Sequence, residues 1–255
     1  MSSYKAYFKK ELIEGIRNYK FLILAIGIIL FAILDPIMLK LLPEILKGQT
    51  QGVDISQFMN INHRFSITNY MNDIYNIANI VIALTLMGVI TDEIKDKNIV
   101  IPLTKGLNLE GLVIAKTLVY SLIITSFTFV GFIINYYYSQ ILFPKDLVSF
   151  SSVMKSCLLY SIYLLFVISL IYLLSSLFKK GIIAALLSIL IIYTMPLIMN
   201  IKILSTYLPF YLIKQANNFN VIFDSTLIIS ILWTLIYIVI ITVITIERLK
   251  RIEIN

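Results

Sequence analysis

The sequence predicts an all-α integral membrane protein built on six transmembrane helices. Three observations predict it: a large excess of apolar residues, their arrangement in six long runs, and an uneven distribution of lysine and arginine between those runs. Over 255 residues, 59% are apolar and 14% charged, and the mean hydropathy is +0.92. Soluble domains use roughly 45–50% apolar and about 25% charged residues. No aqueous core can absorb that excess, and a run of about 20 residues at ~1.5 Å each crosses about 30 Å of hydrocarbon.

In chain order, residues 1–20 read as an amphipathic helix. At 100° steps Tyr4, Phe8, Leu12, Ile16 and Tyr19 share one arc, with Lys9, Lys10, Glu14, Arg17 and Lys20 largely opposite, the pattern of a helix lying on a membrane surface. A signal peptide is excluded because the basic start and the apolar run are both too long and no small-x-small cleavage site follows. A single membrane domain spans 21–246, with runs near 21–42, 74–90, 112–135, 154–178, 181–200 and 227–246. Only Lys179, Lys180 and Gly181 divide the fourth run from the fifth, so those two form an antiparallel hairpin. The connection at 43–73 is long, and that at 201–226 gathers Tyr207, Leu208, Phe210, Tyr211, Leu212 and Ile213 around Pro209, predicting a short interfacial or partly re-entrant helix. Tyr136, Tyr137 and Tyr138 read as an aromatic belt, and 247–255 is a basic tail.

Orientation follows from the cations. With the N-terminus inside, the cytoplasmic side holds Lys5, Lys9, Lys10, Arg17, Lys20, Lys95, Lys97, Lys105, Lys116, Lys179, Lys180, Arg248, Lys250 and Arg251, two thirds of the 21. Both termini are therefore expected in the cytoplasm. The net charge of +7 is spread between spans and gathers on no water-facing domain, so nucleic acid is not an expected partner.

Soluble-type catalysis finds no foothold: there is no phosphate-binding loop, no H-E-x-x-H and no nucleophile elbow. The single Cys157 excludes an intrachain disulfide or a cysteine metal site, and the single His63 reads as a solvated side chain. No catalytic, metal or cofactor residue is expected. Polar residues within the spans are the better lead. Asn69, Asp73, Asn76 and Asn79, with Asn72 beside them, open the second span on one helical face, while Thr117, Ser121, Thr125, Thr128 and Asn135 form a stripe on the third. Such stripes serve either as hydrogen bonds between helices or as a substrate path or dimer seam. Asp35 precedes Pro36 deep in the first span, where it either caps the break that proline makes or lines a polar cavity.

The loop after the second span is charged, then apolar, then turns at Gly106. It runs through Glu93, Lys97, Asn98, Ile99, Val100, Ile101, Pro102, Leu103 and Lys105. An apolar knob in a charged frame suits docking into a groove on another protein. With Lys9-Lys10-Glu11-Leu12 in the entry helix, Asp35-Pro36-Ile37 to Leu42-Pro43-Glu44-Ile45 at the end of the first span, and the Glu93 loop closing on Lys116, the chain resembles the membrane subunit of ABC-2 type exporters along nearly its whole length. It departs from many of them at Lys97-Asn98 and Asn108-Leu109. The resemblance implies a coupling helix between the second and third spans, a second copy of the chain or a close homologue, and two separate ATP-binding subunits that hold ATP and Mg. It also implies a bacterial cytoplasmic membrane and an amphipathic or apolar cargo, with a likeness to exporters of phenol-soluble modulins or antimicrobial peptides. A self-contained carrier or channel, and a non-transporting sensor or scaffold, are the alternatives.

Overall fold

The computed structural model describes residues 3–49, 61–95 and 109–253. All regular structure among them is helical, and six helices are long and apolar enough to cross a membrane. The protein is therefore a multi-pass, all-α membrane protein. Helix α1 (Ser3–Arg17) leads through a tight turn into the first span, α2 (Lys20–Gln49). Tyr19 takes a left-handed backbone conformation in that turn.

The second span is a segmented rod. It comprises α3 (His63–Asp73), a π-helical turn (Ile74–Ala78), α4 (Asn79–Leu86) and, past a break at Met87, α5 (Gly88–Lys95). The third to fifth spans are α6 (Leu109–Leu142), α7 (Phe150–Leu177) and α8 (Gly181–Ile198). Short helices α9 (Lys202–Ser205) and α10 (Phe210–Asn217) precede the sixth span, α11 (Ser225–Glu253). Several helices outrun their apolar stretches. With 34 residues, α6 reaches roughly 51 Å at ~1.5 Å per residue and projects from the hydrocarbon at both ends.

The core forms around α7. Its most apolar window is 78% buried, against 17% for α11, although α7 carries seven serines and three tyrosines. Those polar groups are accommodated in two ways. Ser161 and Ser169 donate to the carbonyls of Cys157 and Leu165 on the same helix. Ser156, Tyr160 and Ser175 instead donate to Ala216, Met71 and Met87 on α10, α3 and the break before α5. At the hairpin between α7 and α8, a Cβ on Gly181 would stand 2.8 Å from the Met87 carbonyl oxygen, so glycine permits this approach of backbones.

Each of two prolines inside a span frees the carbonyl four residues before it. Pro36 frees that of Ala32, which accepts from Asn135 Nδ2 on α6 at 3.2 Å. Pro196 frees that of Ile192, which accepts from the Tyr75 hydroxyl on the π turn at 3.0 Å. Asn135, not Asp35, thus serves the break at Pro36. The π turn frees carbonyls in its own way. Tyr75 O accepts from Asn79 Nδ2 at 2.8 Å, and Asn76 O accepts from the Tyr193 hydroxyl on α8.

At the end of the bundle opposite α1, His63 differs from its expected solvation. It is fully buried, its Nδ1 accepts from the Val148 N–H at 3.0 Å, and its Nε2 faces the Tyr136 carbonyl at 3.4 Å. Accepting at Nδ1 requires a neutral ring with the proton on Nε2. Helix α10 lies along the first turns of α7, burying Leu212, Ile213 and Ala216, and sets Phe210 against Tyr75 at 5.0 Å between ring centres. Tyr136 packs inward while Tyr137 and Tyr138 are exposed.

Replacing Asn135 by Leu should lower stability in detergent by about 1–2 kcal/mol, the usual cost of an orphaned buried acceptor. In a Pro36→Ala background, which returns an N–H for the Ala32 carbonyl, that penalty should largely vanish. Equal penalties in the two backgrounds, read from unfolding midpoints, would contradict the pairing.

Candidate functional site

The notable polar constellation forms where α1 meets the bundle. Three residues at four-residue spacing, Tyr7, Glu11 and Gly15, make the inward stripe of α1. The Phe21 ring occupies the space a Cβ on Gly15 would need, so a larger residue there would displace that ring. The expected apolar arc lies away from this stripe: Tyr4 and Ile16 are exposed, Phe8 and Leu12 half-buried. Lys9 and Arg17 point into solvent. The helix therefore has one face for the protein and another free for a membrane surface.

Glu11 inserts between the second and third spans. Lys116 Nζ on α6 donates to Glu11 Oε1 at 2.7 Å and lies 3.1 Å from Glu93 Oε1 at the end of α5. From α1, Lys10 Nζ donates to the same Glu93 oxygen at 2.5 Å. Lys20 Nζ donates to Glu14 at 3.3 Å. Three lysines thus balance three glutamates. The Glu11 and Lys116 side chains are each only 1% exposed, so neither charge is tolerable without the other.

Burial sets the ionisation here. Desolvation pushes the Glu11 carboxyl above the ordinary glutamate range; Lys116 pulls it back, and repulsion from Glu93 and Glu14 adds to the rise. Glu14 is held below that range: its own desolvation raises it, but Lys116, Lys20 and Lys10 together outweigh that. For Lys10, burial lowers the pKa and Glu93 more than restores it. The carboxylates of Glu11, Glu14 and Glu93 come within 4.8 Å of one another, and the ammonium groups of Lys10 and Lys116 already supply their counter-charge. Glu11 Oε2, Glu93 Oε2 and the hydroxyls of Tyr7, Tyr120 and Tyr172 are buried around the same point and make no hydrogen bond within the described residues.

Of the residues expected to couple to a partner, Glu93 is in this cluster. Asn98, Ile99, Val100, Ile101, Pro102, Leu103 and Lys105 lie outside the described residues. Their chain neighbours are informative: α5 is described to Lys95 and α6 from Leu109, so the cluster grips the helices on both sides of 96–108. Glu11 and Lys116 carry more of the site than sequence reasoning assigned them. The available signal was an acid on the buried stripe of a basic helix and a lysine inside an apolar run.

The polar stripes divide. On the second span the π turn shifts the register, so Asn72 and Asn76 are exposed while Asn79 is buried and donates to the Tyr163 hydroxyl at 3.2 Å. On the third, Thr117 and Thr128 bond their own helix at Val113 and Ile124, and Ser121 and Thr125 are half-buried. Asn135 and Ser139 bridge to α2 and to Ser66 of α3. These bridges are helix-to-helix hydrogen bonds. A second acidic site forms where the buried Asp35 carboxyl meets Asp73 and the Asn69 amide, with its Oδ2 making no hydrogen bond among the described residues.

No protein-family model matches the chain, and no curated protein matches it.

Lys116→Met, which strands the buried Glu11 carboxylate and leaves Glu93 to Lys10 alone, should cost about 3–5 kcal/mol near neutral pH, and adding Glu11→Gln should restore much of it. A carboxyl whose folded pKa is raised contributes stability below its unfolded pKa and loses it as pH rises through the folded value. The Lys116→Met penalty should therefore grow between pH 4.5 and 7.5. A penalty equal at both, measured by thermal unfolding in detergent, would show that the cluster is not held by charge.

Proposed function

We propose that this chain is the membrane-spanning subunit of an ATP-driven exporter of the ABC-2 type. Two such chains would assemble with two separate ATP-binding subunits in a bacterial cytoplasmic membrane, both termini inside. The cargo would be amphipathic or apolar, of the membrane-active peptide class, entering from the bilayer. This chain would hold no nucleotide; ATP and Mg belong to its partners. The observation that carries the reading is the cluster of Lys10 with the buried Glu11, Glu93 and Lys116. It joins a surface helix to both helices that frame 96–108, so a push on that segment would reach α1, α5 and α6 together. Segment 96–108 offers the apolar Ile99, Val100, Ile101 and Leu103 to a groove on the ATPase.

One observation favours a second reading, a proton-coupled carrier. The Asp35 and Asp73 carboxyls face each other inside the membrane domain, and intramembrane acid pairs serve proton relays.

Proteoliposomes separate the two. The exporter reading expects cargo flux only with ATP and the partner ATPase, a loss of about tenfold or more in Ile99→Asp/Ile101→Asp at normal insertion, and little effect of Asp35→Asn. Flux that follows a pH gradient without the ATPase and stops in Asp35→Asn would establish the carrier instead.

A further inference from the structure

Where the fourth span turns back into the fifth, a cleft of about 320 Å³ opens between the ends of α5 and α7 and the last turns of α11. Its floor is apolar, formed by Ile94, Leu177 and Phe178, and Lys95, Lys179 and Arg248 converge on its rim. The hydroxyls that reach it are already committed: Thr91 Oγ1 donates to the Ser175 carbonyl at 2.9 Å and Ser176 Oγ to that of Leu173 at 2.6 Å. Among the described side chains that line the cleft, Lys95, Lys179 and Arg248 are the remaining donors.

No described acid neutralises their charge. Lys10, Lys20, Lys116 and Lys250 all pair with glutamates, whereas Lys95, Lys179 and Arg248 make no ion pair among the described residues. No acid is among the described residues that line the cleft. Asp92 lies against Gly88 of its own helix, and Glu247 acts on Lys250. The C-terminus of α7 brings roughly half a negative charge, which leaves most of the positive charge of the three cations without a described counter-charge. Exposed apolar ribs leave the same place, with Ile182 and Leu186 on α8 and Ile240 and Ile244 on α11.

We propose that this cleft binds the phosphate headgroup of an anionic phospholipid, its acyl chains lying on the exposed faces of α8 and α11. Basic pockets between membrane helices at the headgroup level recognise such lipids, and the cleft's volume falls within the range of small-ligand sites, roughly 300–1,000 Å³. The apolar floor and ribs distinguish a lipid from free phosphate, which would need none of them. The site is independent of the export reading, because it requires only a bilayer and this chain.

Native mass spectrometry of the purified full chain tests it. Phosphatidylglycerol adducts should persist at collision energies that strip phosphatidylcholine. Lys95→Gln, Lys179→Gln and Arg248→Gln should each weaken retention about fivefold, in line with about 1 kcal/mol for each basic residue near an anionic surface, and together far more. Lys40→Gln/Lys145→Gln, altered at the opposite end of the bundle, should retain the lipid as the parent does. Should the triple variant fold poorly, the single variants carry the same expectation. Equal retention of phosphatidylcholine, unchanged retention in the charge variants, or equal occupancy by glycerol phosphate or inorganic phosphate would overturn the proposal. So would displacement of the lipid by an equimolar polyglutamate peptide, which would make the cleft a seat for an acidic protein.

Discussion

Hydrocarbon offers a backbone carbonyl no water, so a proline within a span creates a demand that another helix must meet. The demands at Pro36 and Pro196 are met from different directions, by Asn135 of the third span and Tyr75 of the second. Tyr75 is also on the receiving side. Its own carbonyl accepts from Asn79, while the neighbouring Asn76 carbonyl accepts from Tyr193 of the fifth span. The second and fifth spans therefore exchange hydrogen bonds across two irregular backbones, each supplying the donor the other lacks. Helix pairing here is chosen less by apolar shape, which lipid matches equally well, than by where unpaired carbonyls are.

A similar logic with higher stakes governs the end that carries α1. A buried ion costs several kcal/mol after relaxation, and the cluster includes both members of a fully buried Glu11–Lys116 pair. Its cost is met by neutrality and by sharing: one Glu93 oxygen serves both Lys10 and Lys116. Such a cluster is a poor source of net stability and a strong source of specificity, because moving any one helix alone strands a charge. The register of α1 on the bundle is set by the same contacts, since Glu11 meets Lys116 of the third span while Gly15 lies against Phe21 of the first.

Much of the fold was legible because composition and run length speak directly to bilayer thickness. The six spans, the tight hairpin at Lys179–Lys180–Gly181 and a short helix after Pro209 all follow from local pattern. The π turn did not, since a single inserted residue leaves no mark on hydropathy; it moved Asn76 outward and Asn79 inward, splitting a stripe that a regular helix would have kept together. The burial of His63 was hidden for a different reason. A histidine amid polar neighbours reads as solvated, and only the return of the chain at Val148 gives its Nδ1 a donor. Asp35 beside Pro36 invited a capping role, but its side chain turns to Asp73 while Asn135, a hundred residues away in sequence, reaches the freed carbonyl. Long-range partners of this kind are the part that local reading cannot supply.

The arrangement also constrains how the second span can move. At one end Glu93 is locked into the charge cluster and Thr91 to the Ser175 carbonyl of α7. At the other, Ser66 is bonded to Ser139 of α6 and His63 to the loop before α7. A continuous helix pinned at both ends could only tilt as a rod, breaking one anchor or the other. This one is interrupted twice between its anchors, at Ile74–Ala78 and at Met87, where the i to i−4 ladder gives way to hydrogen bonds from Tyr193 and Ser175 of neighbouring helices. The cluster holds α1, α5 and the start of α6 together at one end, and the two irregular stretches stand between that body and the anchors at the other.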